Sequence, residues 1–362
     1  MQQSELQQGK KFTLEEVVQF TDLIAEKLNN AIDKVDNINH KTHVLSVNAS
    51  IEAARAGTYG RPFGIVATNM SELSEETTKI TEKMRNDTKE ILNVGAMIKV
   101  QAKDYRGNRL SDLALVNIDL IDRNLYERTA DVRWWATDGS VVDALTKKNT
   151  ESYDCASKRL GVILQAYTVY YDLVLADTDG KIVANGSPEK YSSTNLSVAD
   201  SKWFTSAMKT KSGNEFGFES VHHSPLVSNN LALVYSCAVR EGGNTKGGII
   251  GVLGVIFKWE SLAQTIIQQT PIDDEEKKNT RICITDDDGL ILADSDGKML
   301  KDKIQFDKKT SLYAENKNYL FSEYMGYDAC LAHAHSQGFE GYSTGWHSVI
   351  IQKLANMQKT RP

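Results

Sequence analysis

The chain has 362 residues, 41% of them apolar and 25% charged, with a formal net charge of −6. That length holds two domains or more, and the mildly acidic balance excludes the strongly basic face by which proteins grip nucleic acid. No run of about 18 apolar residues is present to span a membrane, and the opening MQQSELQQGKK lacks the apolar core of a secretory signal.

From about residue 13 to residue 104 the only proline is Pro62, and apolar residues recur in a 3-4 rhythm. On the first arm they run from Leu14, Val17 and Ile24 through Ile38 and Leu45 to Ala56. On the second they run from Phe63, Val66 and Met70 through Ile80 to Ile98. A 3.5-residue repeat sustained over about five heptads keeps one stripe facing a partner, as in a coiled coil. The arms meet at GTYGRP, where Gly57 suits a left-handed helix end and Pro62 the first turn of a new helix. The spacing predicts an antiparallel coiled-coil hairpin with its tip at 57–62. One hairpin leaves much apolar seam uncovered, which predicts a homodimer paired as a four-helix bundle.

From residue 105, YRGNRLSDLALVNIDLIDRNLYERTADVRWWA continues as helix, with Leu110, Leu113, Ile118, Ile121 and Leu125 on one face. Trp134 and Trp135 near its end are expected to anchor it on a sheet. Shorter helices follow in VVDALTKKNTESYDCASKRLGVILQAY. YYDLVLADTDGKIVANG then reads as two strands around Thr178-Asp179-Gly180. LALVYSCAVR and GGIIGVLGVIFKW are expected to supply three strands between them, separated by glycine-rich turns, with His222 and His223 in a loop. PIDDEEKKN reads as a solvated linker. The strand–turn–strand phrase returns as RICITDDDGLILADSDG, with further strands near YLFSEYM, ACLAHAHS and WHSVIIQKL. The second half is thus an approximate internal duplication.

Residues about 38–75, INHKTHVLSVNASIEAARAGTYGRPFGIVATNMSELS, carry Asn-Ala, Glu-Ala-Ala-Arg-Ala-Gly, Gly-Arg and Phe-x-x-Val-Ala in order. This stretch closely resembles the kinase-control tip of bacterial methyl-accepting chemotaxis proteins. The long leading helix, the two Asp-x-Asp-Gly hairpins, DSKWFTSAM and GFEGYSTGWHSVIIQ make the second half similar to the double Cache sensor of those receptors. The resemblance implies an α+β chain: a signalling hairpin over 1–104, then a double Cache domain over 105–362. Its two PAS-like modules would lie at about 166–270 and 279–355. It also implies that Leu45, Asn48, Glu52, Arg55, Phe63 and Val66 form the surface for a histidine kinase and a coupling protein. His40, Thr58, Pro62 and Gly64 depart from the family pattern, so kinase binding is implied more firmly than assembly into trimers of dimers. The arms are too short for the family's methylation region.

In Cache sensors the first module commonly holds the ligand, which here implies Asp200, Lys202, Trp203, Phe204, Tyr235 and His223 as ligand-binding residues. Amino-acid-binding members place Arg two residues before the Trp, and that position is Ser201. The segment KGGIIGVLGVIFKW also lacks the acid that takes the ammonium group. A small anion or a flat polar molecule is therefore expected in place of a doubly clamped amino acid. Cys330, His333 and His335 have C-x-x-H-x-H spacing, but on a strand the cysteine points away from both histidines. No metal, no cofactor and no enzymatic activity are expected. Four scattered cysteines fit a reducing cytoplasm. The expected function is a soluble, chemoreceptor-like signal transducer that senses a small molecule and signals through the tip to the kinase and coupling protein. The alternative is a homodimeric ligand-binding scaffold, or a modulator of receptor arrays that no longer binds the kinase.

Overall fold

The structure is a computed structural model, and it describes residues 14–306 and 309–354. The chain divides into two compact units at Arg106/Gly107.

The first unit is built on helix α1 (Leu14–Arg55), a single 3₁₀ turn (Gly57–Gly60) and the first part of helix α2 (Arg61–Trp135). Gly57 adopts the left-handed conformation (φ 56°) expected at a helix end. Gly60 is required for a different reason: a Cβ there would lie 2.0 Å from the Ala53 carbonyl oxygen. Away from this turn α1 and α2 run antiparallel. Asn39 Nδ2 donates to Ser74 O (3.0 Å) and Thr78 Oγ1 (2.9 Å), and Arg85 pairs with Asp33 (2.7 Å) and Asp36 (2.6 Å).

Apart from Ile32, the contact line between the two helices is made of small or polar residues. Ala25, Ile32, Asn39 and Ser46 are buried at seven-residue intervals on α1, and Ala67, Ser74, Thr81 and Thr88 on α2. The larger residues expected at the seam lie one position earlier and are exposed, among them Ile24, Ile38, Leu45, Val66, Leu73 and Ile80. A 3-4 rhythm fixes the width of an apolar stripe but not which neighbour covers it. Small side chains let two axes approach closely, so they take the internal line.

The second unit begins within α2, whose Leu110, Ala114, Ile118, Ile121, Leu125 and Val132 are fully buried. The second arm and the helix predicted after residue 105 are thus one element. Trp135 is buried against Tyr167 and Tyr170, whereas Trp134 is exposed and anchors nothing on the sheet. Helices α3 (Gly139–Lys147) and α4 (Thr150–Ala166) follow, capped by Asp138 and by an Asn149–Ser152 capping box.

The first sheet comprises β1 (Tyr170–Asp177), β2 (Ile182–Asn185), β3 (Gly217–Ser224), β4 (Asn230–Arg240) and β5 (Ile249–Phe257), with α5 (Lys202–Met208) between β2 and β3. Helices α6 (Trp259–Gln269) and α7 (Asp274–Lys277) lead to the second sheet. That sheet holds β6 (Thr280–Thr285), β7 (Ile291–Asp294), β8 (Lys317–Tyr324), β9 (Tyr327–His335) and β10 (His347–Lys353), with α8 (Lys309–Leu312) before β8. The strand orders are β2-β1-β5-β4-β3 and β7-β6-β10-β9-β8, the same topology twice.

The paired turns share their main contacts, and the first adds a bond from Asp179 N to Asp177 Oδ1 (3.0 Å). Asp177 Oδ1 accepts from Lys181 N, as Asp286 Oδ1 does from Leu290 N. Gly180 and Gly289 take φ of 79° and 84°. Asx-turn chemistry explains both Asp-rich motifs.

Three local expectations are corrected. LALVYSCAVR and GGIIGVLGVIFKW hold two strands, not three, because Gly251 and Gly254 sit inside β5 and do not break it. A Cβ at Gly251 would meet Ala176 O at 2.4 Å, so these glycines admit close neighbours. His222 and His223 lie on β3. The acidic linker forms α7, and its Glu276 makes a two-pronged ion pair with Arg109 of α2 (2.7 Å for each contact).

Candidate functional site

Each strand of the first sheet alternates between two cores. Leu173, Leu175, Leu233, Tyr235, Cys237 and Val255 share one with α2, α3 and α4. Val174, Ala176, Ala232, Val234, Val252 and Ile256 face the other way, where α5 covers them with Trp203, Phe204 and Ala207.

Trp203 and Phe204 are buried in this second core, their rings edge to face at 6.0 Å. The indole lies over Gly254, where a Cβ would come within 3.0 Å of its Cζ3. Two polar contacts pin the start of α5 to the sheet. Trp203 N donates to Glu219 Oε2 (3.2 Å), and Ser236 Oγ donates to Trp203 O (2.6 Å).

The other residues inferred for the ligand site do not converge here. Tyr235 points to the opposite face of the sheet, packed with Phe216 and Phe218, and its hydroxyl pairs with that of Tyr342 from the β9–β10 loop. It joins the two modules and does not line the face under α5. Asp200, Lys202 and His223 are exposed, with His223 Nδ1 2.8 Å from Asn229 O. Period-2 alternation decides the outcome for Tyr235 on β4 and His223 on β3, whereas Asp200 and Lys202 stand at the exposed start of α5.

Several residues passed over in the sequence complete the rim of this face. Asp172 on β1 is fully buried and accepts from Leu173 N (2.9 Å), Gly186 N (3.1 Å), Ser187 N (3.1 Å) and Asn185 Nδ2 (2.7 Å). Burial pushes its carboxyl up to about 6, against the pull of those four donors. Asn185 also donates to Tyr191 O (3.0 Å) and accepts from Thr194 Oγ1 (3.0 Å), so the net binds the β2–α5 loop to β1.

Beside that loop, Tyr171 and Tyr191 pack on the α5-side core. Lys258 Nζ lies 5.7 Å from the Tyr171 ring centre and Lys190 Nζ 5.0 Å from that of Tyr191. Partial burial, and then the charge of Lys190, hold the Lys258 ammonium below the usual lysine range. Lys258 Nζ also donates to Thr168 O (2.7 Å), so one of the two cations on this aromatic rim is held by a backbone carbonyl. The sequence signal was slight: the doublets Tyr170-Tyr171 and Lys190-Tyr191.

The chain thus repeats one five-stranded module behind a long helix, with one face of the first sheet closed by a short helix. The family model described as "Cache domain" matches residues 7–360, and the chain belongs to that family. It is related to methyl-accepting chemotaxis proteins. It is 38% identical over 60 residues to McpS of Pseudomonas putida, covering 17% of this chain and 9% of that protein. It is 34% identical over 79 residues to McpC of Bacillus subtilis, covering 22% and 11% respectively. The chain therefore matches only a small part of these relatives' length.

Among solved structures, the fold resembles the sensor domain of the Vibrio cholerae histidine kinase DctB (TM-score 0.52, 12% identity, 71% of this chain and 100% of that chain). It also resembles the ligand-binding domain of the Campylobacter jejuni chemoreceptor Tlp3 in complex with 4-methylisoleucine (TM-score 0.52, 16% identity, 69% and 92%). At these identities the likeness shows the fold alone. Among the described residues no helix is long and apolar enough to cross a membrane.

Proposed function

We propose that the chain is a non-catalytic chemoreceptor-type transducer whose first Cache module binds a small anion at the Tyr171–Tyr191–Lys190–Lys258 rim. The lysine pair over that aromatic rim is the observation that carries the ligand class. Ser201 stands where amino-acid-binding relatives carry Arg, so the lysines supply the cationic grip in its place. Trp203 and Phe204 form the floor beneath, and Asp172 holds the loop that presents Lys190 and Tyr191.

The output surface is the exposed end of the helix pair. Leu45, Asn48, Glu52, Arg55, Phe63 and Val66 are all exposed there, and Glu52 pairs with Arg55 at 2.8 Å. Large apolar groups left in solvent at a helix end suit docking of a histidine kinase and a coupling protein. The exposed stripe from Ile24 to Ile80 suits a second copy, which would complete a coiled-coil four-helix bundle. Ligand binding shifts the population of helix arrangements only by its differential affinity for them.

A thermal-shift screen of organic acids, amino acids, amines and purines tests the sensing half. The expected hit is an anion whose shift disappears in Lys190→Ala and Lys258→Ala; a hit that survives both changes removes the rim as the site. Capture with purified kinase and coupling protein tests the output half. Stoichiometric binding lost in Phe63→Ala supports it, and no binding at high concentration leaves the homodimeric scaffold.

A further inference from the structure

The second module carries a chemistry that the first lacks. His335 and His347 stand directly opposite each other on β9 and β10, so their side chains share one face of the sheet. The β6–β7 turn brings Asp287 to the same place, and one ligand atom from each of the three lies within 4.8 Å of the others. His347 Nε2 is 3.1 Å from Asp287 Oδ1.

The surroundings fix the inner imidazole. His333 Nε2 meets His347 Nδ1 at 2.9 Å, which commits one ring nitrogen and turns the other toward Asp287. The Tyr313 ring stacks on His347 (4.1 Å, 12°) and on His333 (4.4 Å, 23°). Lys309 Nζ lies on the carbonyl side of Asp287 (3.4 Å) and over the Tyr313 ring (5.2 Å). From outside inward the three groups run from an exposed carboxylate through a half-buried imidazole to a buried one. An ion thus has an entry path from solvent.

We propose that Asp287, His335 and His347 bind a divalent transition-metal ion of the zinc class. Two imidazoles and one carboxylate form a borderline-soft donor set, suited to zinc and its neighbours and poorly matched to calcium or magnesium. Tetrahedral zinc with bonds of about 2.0–2.1 Å sets its ligands roughly 3.3 Å apart, close to the His347–Asp287 spacing. A small inward movement of the half-buried His335 closes the third side. His333 acts as the outer partner that orients a metal-binding imidazole through its second nitrogen. Cys330 takes no part: it belongs to the core on the other side of the sheet. The set is invisible to spacing because it draws on three separate segments. Three protein ligands leave a tetrahedral ion one position for water or an incoming molecule.

The test uses the untagged full chain stripped of metal, titrated calorimetrically with Zn²⁺, Mg²⁺ and Ca²⁺. One Zn²⁺ per chain is expected, with no response to the other two. Asp287→Asn and His335→Ala, at positions that tolerate change, should each weaken zinc binding by at least about tenfold. A His222→Ala/His223→Ala double variant should bind as the wild type does. Co²⁺ should give visible absorption bands that vanish in the same two single variants. Absence of zinc binding, or binding indifferent to both Asp287→Asn and His335→Ala, overturns the proposal and leaves a simple His347–Asp287 hydrogen bond.

Discussion

Asp172 shows how one buried carboxyl organises a site that its sequence neighbours did not advertise. It titrates near 3.8 when unfolded and at about 6 in the fold, so the folded chain holds that proton more tightly. Its contribution to stability is therefore fully present below about pH 4 and is lost as pH rises through about 6, on the order of 3 kcal/mol in all. Urea denaturation of the wild type and Asp172→Asn between about pH 4 and pH 7 should show the wild type losing stability relative to the variant as pH rises. A difference that stays constant or grows with pH contradicts the assignment. Trp203 and Phe204, inferred as ligand-binding residues, lie buried in the core under α5, where they serve as packing whatever else they touch. Tyr235 was misplaced because its strand is apolar on both sides, and such a strand gives no hint of which face is which.

Among the elements, helix ends and turns were read best, since glycine and proline act through sterics that neighbours cannot override. Gly57 and Gly60 now separate into two kinds of requirement. Gly57→Ala faces open space and strains only its left-handed backbone, at about 1 kcal/mol. Gly60→Ala drives a methyl into the Ala53 carbonyl and should cost more, about 2–3 kcal/mol. Thermal melts followed by far-UV circular dichroism should rank the wild type above Gly57→Ala and that above Gly60→Ala; the reverse order would mean the turn is packed otherwise. The strands were less legible. Gly251 and Gly254 looked like punctuation, yet each stands where a neighbour presses on β5. Strand β3 escaped notice because its alternation is only half apolar. Part of the predicted seam holds, since Thr21, Leu28, Thr42 and Ala49 are half-buried, but its large aliphatic members stand one position from the internal line, for want of any signal that ranks two adjacent stripes.

At the scale of the molecule, the displaced stripe is the main unpaid debt in the fold. Ile38 and Ile80 are 65% and 54% exposed, too much for large aliphatic side chains arrayed in register with no cover. Sedimentation equilibrium should report dimers at micromolar concentration, and Ile38→Glu with Ile80→Glu should yield monomers that keep the wild-type circular dichroism spectrum. A wild type that stays single removes the bundle. The duplicated strand order was legible as a returning phrase, but the use to which each copy is put was not, because the decisive side chains come from distant segments.

That doubled topology has a further consequence. Once a scaffold has been copied, the two halves need not answer to the same stimulus, and selection can retune one while the other keeps its older appetite. If the first module takes an anion and the second a metal ion, as proposed above, the two copies would register together whether two chemically unlike signals are present.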